Sequence, residues 1–139
     1  MDRKVVHIVG TGTIGEPLIG ILCEQKSNLG IDEITFHKHS PLTKDAPKIK
    51  NLISKGARLS VLEDRVESFK EIGLDPEFTM DEAISRSSVV IDCTPSGHGH
   101  SNKENFYNKY TDKVKGFLAQ GSENGFGKKY ARGINDHVI

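Results

Sequence analysis

Three glycines near the start of the chain have the spacing of a phosphate-binding turn, in the segment Gly10-Thr11-Gly12-Thr13-Ile14-Gly15. In such a Gly-x-Gly-x-x-Gly pattern the first glycine permits a tight turn, the second lets the backbone approach a pyrophosphate, and the third lets a helix pack closely on a strand. The following helix then presents N–H groups and a partial positive charge to the phosphates. The pattern predicts a dinucleotide site, and the alternative is a turn with a structural role alone. The residues predicted to contact the cofactor here are Gly10, Gly12, Thr13, Ile14 and Gly15.

A second candidate segment, His37-Lys38-His39-Ser40, follows the next predicted strand. Domains that prefer NAD place an acid there, about twenty residues beyond the glycines, because a carboxylate binds the ribose hydroxyls. A cation and a small hydroxyl at this position suit the 2′-phosphate of NADP instead. We therefore expect Lys38 and His39 to contact the cofactor, and NADP to bind at least as readily as NAD. The alternative is that Lys38 is a solvated loop lysine.

Two later segments also follow predicted strands. Ligands of open α/β sheets bind outside the carboxyl ends of the strands. The loop 93–100 follows one such strand, and we expect its Thr94 and Pro95 to face the cofactor. Gln120 and Gly121 end the next strand, where they either contact a nicotinamide or form an ordinary turn.

Candidate metal ligands and nucleophiles are weaker. His98 and His100 lie in one loop, but no third ligand stands nearby in the sequence, so we assign no metal ligand. Cys93 follows a predicted buried strand and has no evident base, which favours a buried structural thiol over a nucleophile. We assign no catalytic residue to this chain.

The elements that position these residues alternate between strand and helix. The segment 5–9 is β-branched and apolar nearly throughout, which favours a parallel strand covered on both faces. Further strands are predicted at 34–37, 59–62, 87–93 and 116–120. Ile14, Leu18, Ile21 and Leu22 form an apolar helical stripe after the first strand. Two capping-box patterns, at 79–82 and 101–104, predict helix starts, and Gly56 and Gly73 predict helix ends.

This alternation predicts an α/β fold with a doubly wound parallel sheet, because right-handed crossovers return each strand to the same sheet. We expect the Rossmann type, with three α/β/α layers. The 139 residues are a common length for one domain, so we expect a single domain over 1–139.

Composition restricts the function classes. The 19 Lys plus Arg balance the 19 Asp plus Glu, and this gives no positive field for nucleic acid. No apolar run approaches the roughly 18 residues of a membrane span, and the N-terminal apolar run is too short for a signal peptide. Cys23 and Cys93 show no disulfide or zinc pattern, so we expect a reducing, cytoplasmic setting.

Four features in order resemble the archaeal-type (type II) glyceraldehyde-3-phosphate dehydrogenases: the segment 9–15, Lys38, the segment 89–95 and the segment 117–123. The resemblance implies the N-terminal NAD(P)-binding domain of that family, which is dual or NADP-preferring. It further implies a full-length glycolytic oxidoreductase that acts on an aldehyde and is expected to form a homo-oligomer.

In that family the nucleophilic cysteine follows in a Ser-Cys-Asn-Thr segment that begins a separate catalytic domain. The chain ends before any such segment, and neither Cys23 nor Cys93 matches it. We therefore expect a cofactor-binding fragment that lacks the catalytic domain and has no turnover by itself.

Two other hypotheses remain open at this stage. One is the cofactor domain of a semialdehyde or homoserine dehydrogenase. The other is a stand-alone dinucleotide-binding module that senses redox state or serves as a partner subunit. A reading frame that continues past Ile139 into a Cys-Asn-Thr segment would exclude the stand-alone module.

Overall fold

The computed structural model describes residues 2–120 and 123–139 and contains one parallel sheet flanked by helices. The strands are β1 (Val5–Val9), β2 (Glu33–His37), β3 (Arg58–Val61), β4 (Phe78–Thr79), β5 (Val89–Asp92) and β6 (Gly116–Ala119). The α-helices are α1 (Gly15–Gln25), α2 (Ala46–Ser54), α3 (Val66–Glu71), α4 (Met80–Ser85) and α5 (His98–Asn105). Short 3₁₀ turns span Thr43–Asp45, Glu63–Arg65, Tyr107–Tyr110 and Asp136–Val138.

The strand order is β4-β3-β2-β1-β5-β6, and every strand pairing is parallel. From β1 the chain first builds the sheet outward through β2, β3 and β4, and then returns to place β5 on the other side of β1. The strand order therefore reverses between β1 and β5, and a crevice opens there at the carboxyl ends. The predicted α/β doubly wound sheet of the Rossmann type is confirmed.

The sheet carries an apolar core on each face. One core joins α1, α2 and α3 to the sheet through fully buried residues such as Ile8, Phe36 and Phe69. The other lies under α4 and the turn Tyr107–Tyr110, with Val90 and Tyr107 at its centre. Helical layers on both faces explain why β1, at the centre of the sheet, is apolar along most of its length.

The face under α4 also carries a buried polar row. The register pairs His7 with Thr35 and His37 with Ser60, so these side chains share one side of the sheet. All four are at most 3% exposed. Two hydrogen bonds join them, from His7 Nδ1 to Thr35 Oγ1 (2.7 Å) and from His37 Nδ1 to Ser60 Oγ (3.3 Å), with the donor in each set by the histidine tautomer.

Several local predictions are confirmed. Gly56 and Gly73 follow helices with φ of +104° and +81°, the left-handed conformation in which glycine avoids strain. The capping box at the start of α4 is present, with Glu82 N donating to Thr79 Oγ1 and Thr79 N donating to the Glu82 carboxylate.

Two local predictions are wrong, one of them in part, and one strand was missed. In the predicted α1 stripe Leu18 and Leu22 do pack against the core, but Ile14 and Ile21 are 49% and 56% exposed, and Ile19 is the buried apolar side chain instead. The 101–104 pattern does not begin a helix, because α5 already starts after Gly97, whose φ is +88°, and Ser101 N donates to Gly97 O. The two-residue strand β4 was not predicted, because so short an edge strand has no periodicity to detect.

No helix in the described part of the chain has the length and apolar character needed to cross a membrane.

Candidate functional site

The glycine turn joins β1 to α1 at the carboxyl ends of the strands, in the middle of the sheet. Gly10 has φ of +103°, and its N–H donates to His37 O of the neighbouring strand (3.2 Å). A Cβ on Gly15 would lie 2.0 Å from Gly10 O, so only glycine fits there. A Cβ on Gly12 would meet no atom within 4 Å. Gly10 and Gly15 are therefore required by the backbone of the turn, whereas Gly12 leaves open space beside it.

A cavity of about 790 Å³ lies at this edge, between β1, β2 and β5. The cavity size falls in the range of about 300–1,000 Å³ that small-molecule sites occupy. Nine of the residues predicted from the sequence line it: Gly10, Gly12, Thr13, Ile14, Lys38, His39, Thr94, Pro95 and Gln120. Gly15 supports the turn from behind rather than lining the cavity. Gly121 lies outside the described residues.

The N-terminus of α1 contributes to the wall of this cavity. Ile14 stands at the N-cap position, and an isoleucine side chain has no atom that can accept a hydrogen bond from the first helical N–H groups. The helix dipole places partial positive charge at this end. The turn and the helix start thus combine open space with an electrostatic environment that favours an anion.

Lys48 adds a cation that the sequence analysis missed. It lies on α2, lines the cavity, and donates from Nζ to Thr11 O at 2.9 Å. The Glu16 carboxylate lies 3.9 Å from the same Nζ. Since Lys48 is 37 residues beyond Thr11 in the chain, only the packing of α2 against α1 brings it to the turn.

The end of β2 presents an ion pair rather than an isolated cation. Lys38 Nζ lies 2.8 Å from Asp45 Oδ2, and the two side chains are only 14% and 18% exposed. The hydrogen bond from Lys38 lowers the pKa of the Asp45 carboxyl below its ordinary value. Both residues line the cavity. An acid is thus present beside Lys38, although the sequence near the end of β2 offered none.

The His39 side chain is exposed and lies beside the cavity opening near the end of β2. Its carbonyl oxygen accepts a hydrogen bond from Arg65 Nη1 (3.0 Å). Partial burial, together with the positive charge of Arg65, lowers the pKa of His39. His39 is therefore a neutral polar group near neutral pH, and it does not add to the charge of Lys38.

A buried carboxylate organises the loop that follows β5. Asp92 is fully buried, and its Oδ1 accepts from Thr94 N (2.9 Å) and from the Thr94 hydroxyl. Its Oδ2 accepts from Asn102 Nδ2 (3.0 Å) and from the Tyr107 hydroxyl (2.5 Å). Four donors thus compensate the buried charge and tie the Thr94 loop to α5. Gln120 joins the same loop, because its Nε2 donates to Thr94 O (3.3 Å).

Cys93 lines the cavity but has the properties of a structural thiol. It is 8% exposed, and burial together with the adjacent Asp92 charge raises its pKa to about 11. The thiol is therefore protonated near neutral pH, whereas a nucleophilic cysteine needs thiolate character. Cys23, in α1, also has a pKa raised by burial.

His98 and His100, predicted to lie in a loop, lie on α5 and do not form a metal centre with their described neighbours. Within 2–120 and 123–139, no group of three or more His, Cys, Asp or Glu residues is arranged to hold a metal ion. His100 instead lies beside Glu104 one helical turn away, with 3.5 Å between Nε2 and the carboxylate. His98 lines the cavity.

Comparison with known proteins gives relatives of one kind, although no family model matches the chain. A glyceraldehyde-3-phosphate dehydrogenase of Pyrobaculum neutrophilum is 35% identical over 120 residues, which cover 85% of this chain and 31% of the relative. The protein of the same name from Methanopyrus kandleri is 42% identical over 123 residues, covering 85% of this chain and 33% of the relative. That from Methanobacterium bryantii is 34% identical over 121 residues, covering 86% and 33%.

The chain spans about a third of the length of the curated relatives that it matches. Most of its own length is covered in each case, at 85–86%. The chain is therefore similar over most of its length to archaeal glyceraldehyde-3-phosphate dehydrogenases, and its extent is consistent with the N-terminal domain of those proteins.

Proposed function

We propose that the chain binds NAD or NADP as the cofactor domain of a glyceraldehyde-3-phosphate dehydrogenase-like oxidoreductase that acts on an aldehyde. The observation that carries the proposal is the open space beside Gly12, in a turn that faces the cavity where the strand order reverses. Dinucleotides bind at this position in doubly wound sheets, with the pyrophosphate against the glycine turn.

The cavity-lining residues suit successive parts of such a ligand. The turn 10–15 and the start of α1 suit the pyrophosphate, and Lys48 supplies a cation on the same side. Lys38 and His39, at the end of β2, suit the adenosine ribose. Thr94, Pro95 and Gln120 lie on the other side of the point where the strand order reverses, and they suit the nicotinamide. Gly121 is proposed for the nicotinamide end of the cofactor from the sequence alone. The bound nicotinamide supplies hydride-accepting chemistry for aldehyde oxidation.

The described residues support binding and orientation rather than covalent chemistry. An aldehyde-oxidising thiol must be deprotonated and accessible. Cys93 is neither, since it is buried and its pKa is raised to about 11. We therefore assign this chain the positioning of the cofactor, with no catalytic residue among Cys23 and Cys93.

The test is substitution of the open glycine. Gly12→Val should abolish binding of both NAD and NADP, because its side chain occupies space that the pyrophosphate needs. The thermal midpoint should stay near that of the wild type, since a Cβ at Gly12 meets no protein atom within 4 Å. Titration calorimetry measures the affinity, and circular dichroism monitors the fold.

Gly116→Val is the matched control. Gly116 is the first residue of β6, so it lies at the amino ends of the parallel strands, opposite the glycine turn. A Cβ there also meets no atom within 4 Å. This variant should bind both cofactors like the wild type. Unchanged affinity in Gly12→Val would show that the phosphates bind elsewhere and would refute the proposed site.

A further inference from the structure

Asp45 is oriented toward the cavity at the expense of a local interaction. It occupies the N-cap position of α2, where aspartate is favoured because its carboxylate accepts from the first helical N–H groups. Its side chain makes no such capping bond within the described chain. The carboxylate instead lies 2.8 Å from Lys38 Nζ, and both groups line the cavity.

The ion pair places opposite charges where the two cofactors differ. A phosphate monoester carries about −1.5 to −2 charges near pH 7. Such a group at Lys38 would also lie beside the Asp45 carboxylate, which repels it and already holds the ammonium group. A free ribose hydroxyl has no charge and can donate a hydrogen bond to a carboxylate. The Lys38–Asp45 pair is mostly shielded from solvent, so screening by water weakens these effects less than at an exposed pair.

We propose that Asp45 is a specificity-determining residue, which disfavours the 2′-phosphate of NADP and accepts a hydrogen bond from the adenosine ribose of NAD. The inference rests on the proposed function, because it requires the adenosine ribose to bind at the end of β2. Lys38 attracts the phosphate and Asp45 opposes it, so the balance between the two cofactors is set by the pair and not by Lys38 alone.

The test compares cofactor affinities after the charge of Asp45 is removed. Because Asp45 makes no capping bond in the wild type, and Asn and Ser are both favoured at an N-cap, Asp45→Asn and Asp45→Ser should leave the start of α2 intact. In each variant the affinity for NADP relative to NAD should rise by about tenfold or more, which corresponds to about 1.4 kcal/mol. NADP should bind more tightly, and NAD should bind equally or more weakly. Calorimetric titration of the full chain with each oxidised cofactor measures the ratio.

Asp75→Asn is the matched control, since Asp75 is an exposed carboxylate that does not line the cavity. Its affinity ratio should equal that of the wild type. An unchanged ratio in the two Asp45 variants would overturn the inference. A ratio that falls would also overturn it, because Asp45 would then serve to hold Lys38 in place for the phosphate. A wild-type chain that binds neither cofactor would overturn the proposed function itself, whereas binding of both with no change in ratio overturns only the role of Asp45.

Discussion

The buried histidines on the α4 side of the sheet should make the folded chain sensitive to mild acid. His7 and His37 are 0% and 3% exposed, and each has a pKa lowered to about 3. Burial is the main cause for both. The neighbouring His37 further lowers the pKa of His7, and His39 and Arg65 further lower that of His37. His7 Nε2 is a buried atom without a hydrogen-bond partner in the described structure, so nothing nearby stabilises its protonated form.

The sign and size of the effect follow from proton linkage. In the unfolded chain a histidine titrates near its ordinary value of 6.5, so acid protonates the unfolded state first. Each histidine therefore contributes stability above pH 6.5 that is lost as the pH falls from 6.5 toward 3. Between about pH 7.5 and about pH 5 the loss is about 2 kcal/mol for each, or about 4 kcal/mol for both. A domain is typically stable by about 5–15 kcal/mol, so this loss is large.

Urea unfolding at the two pH values measures this loss. The carboxyls of Glu33 and Asp45 have pKa values below their ordinary 4.5 and 3.8, so they contribute little change above pH 5. His7→Gln keeps a polar group near Thr35 and should reduce the pH dependence by about 2 kcal/mol. His137→Gln, at an exposed histidine, should retain the full dependence.

Two results would refute this reasoning. One is an unfolding free energy in the wild type that is the same at both pH values. The other is an NMR titration in which His7 of the folded chain protonates near 6.5, its ordinary value. Either result would mean that water or a structural change stabilises the imidazolium in the sheet.

Two further predictions concern single side chains. Lys38→Ala should weaken NADP binding several-fold to about a hundredfold, because a charged contact to the 2′-phosphate is worth about 1–3 kcal/mol. The affinity for NAD should change little, and the loss of NADP affinity should shrink at high salt. Calorimetry with both cofactors measures it, and equal losses for the two would contradict a role at the 2′-phosphate. Tyr107→Phe should lower the free energy of unfolding by about 1.5–3 kcal/mol, because it removes one donor to the charged Asp92 while the ring keeps its stacking on Phe117, 5.2 Å between centroids. Urea unfolding tests this, and a loss below about 0.5 kcal/mol would show that the remaining donors compensate Asp92 fully.

Local sequence signals were sufficient for the fold class and for the centre of the site. Gly10, Gly12 and Gly15 act through the backbone conformation and close approach of one turn, so their spacing predicted the turn before any tertiary contact was known. The capping box at Thr79 is equally local. The 101–104 pattern failed because α5 already begins after Gly97, so Ser101 and Glu104 lie inside the helix, where they contact Asn105 and His100.

The charge at the end of β2 was decided by tertiary structure. Lys38 alone suggested a phosphate site, but Asp45 lies in a later 3₁₀ turn, and only the folding of that turn against β2 brings its carboxylate to 2.8 Å from Lys38. The same holds for Lys48, which reaches the glycine turn from α2. Periodicity and motif spacing report interactions over a few residues. The sequence by itself therefore determined the sheet, the turn and where a dinucleotide is expected, whereas the electrostatic partners of that site depend on long-range packing and became visible only in the folded chain.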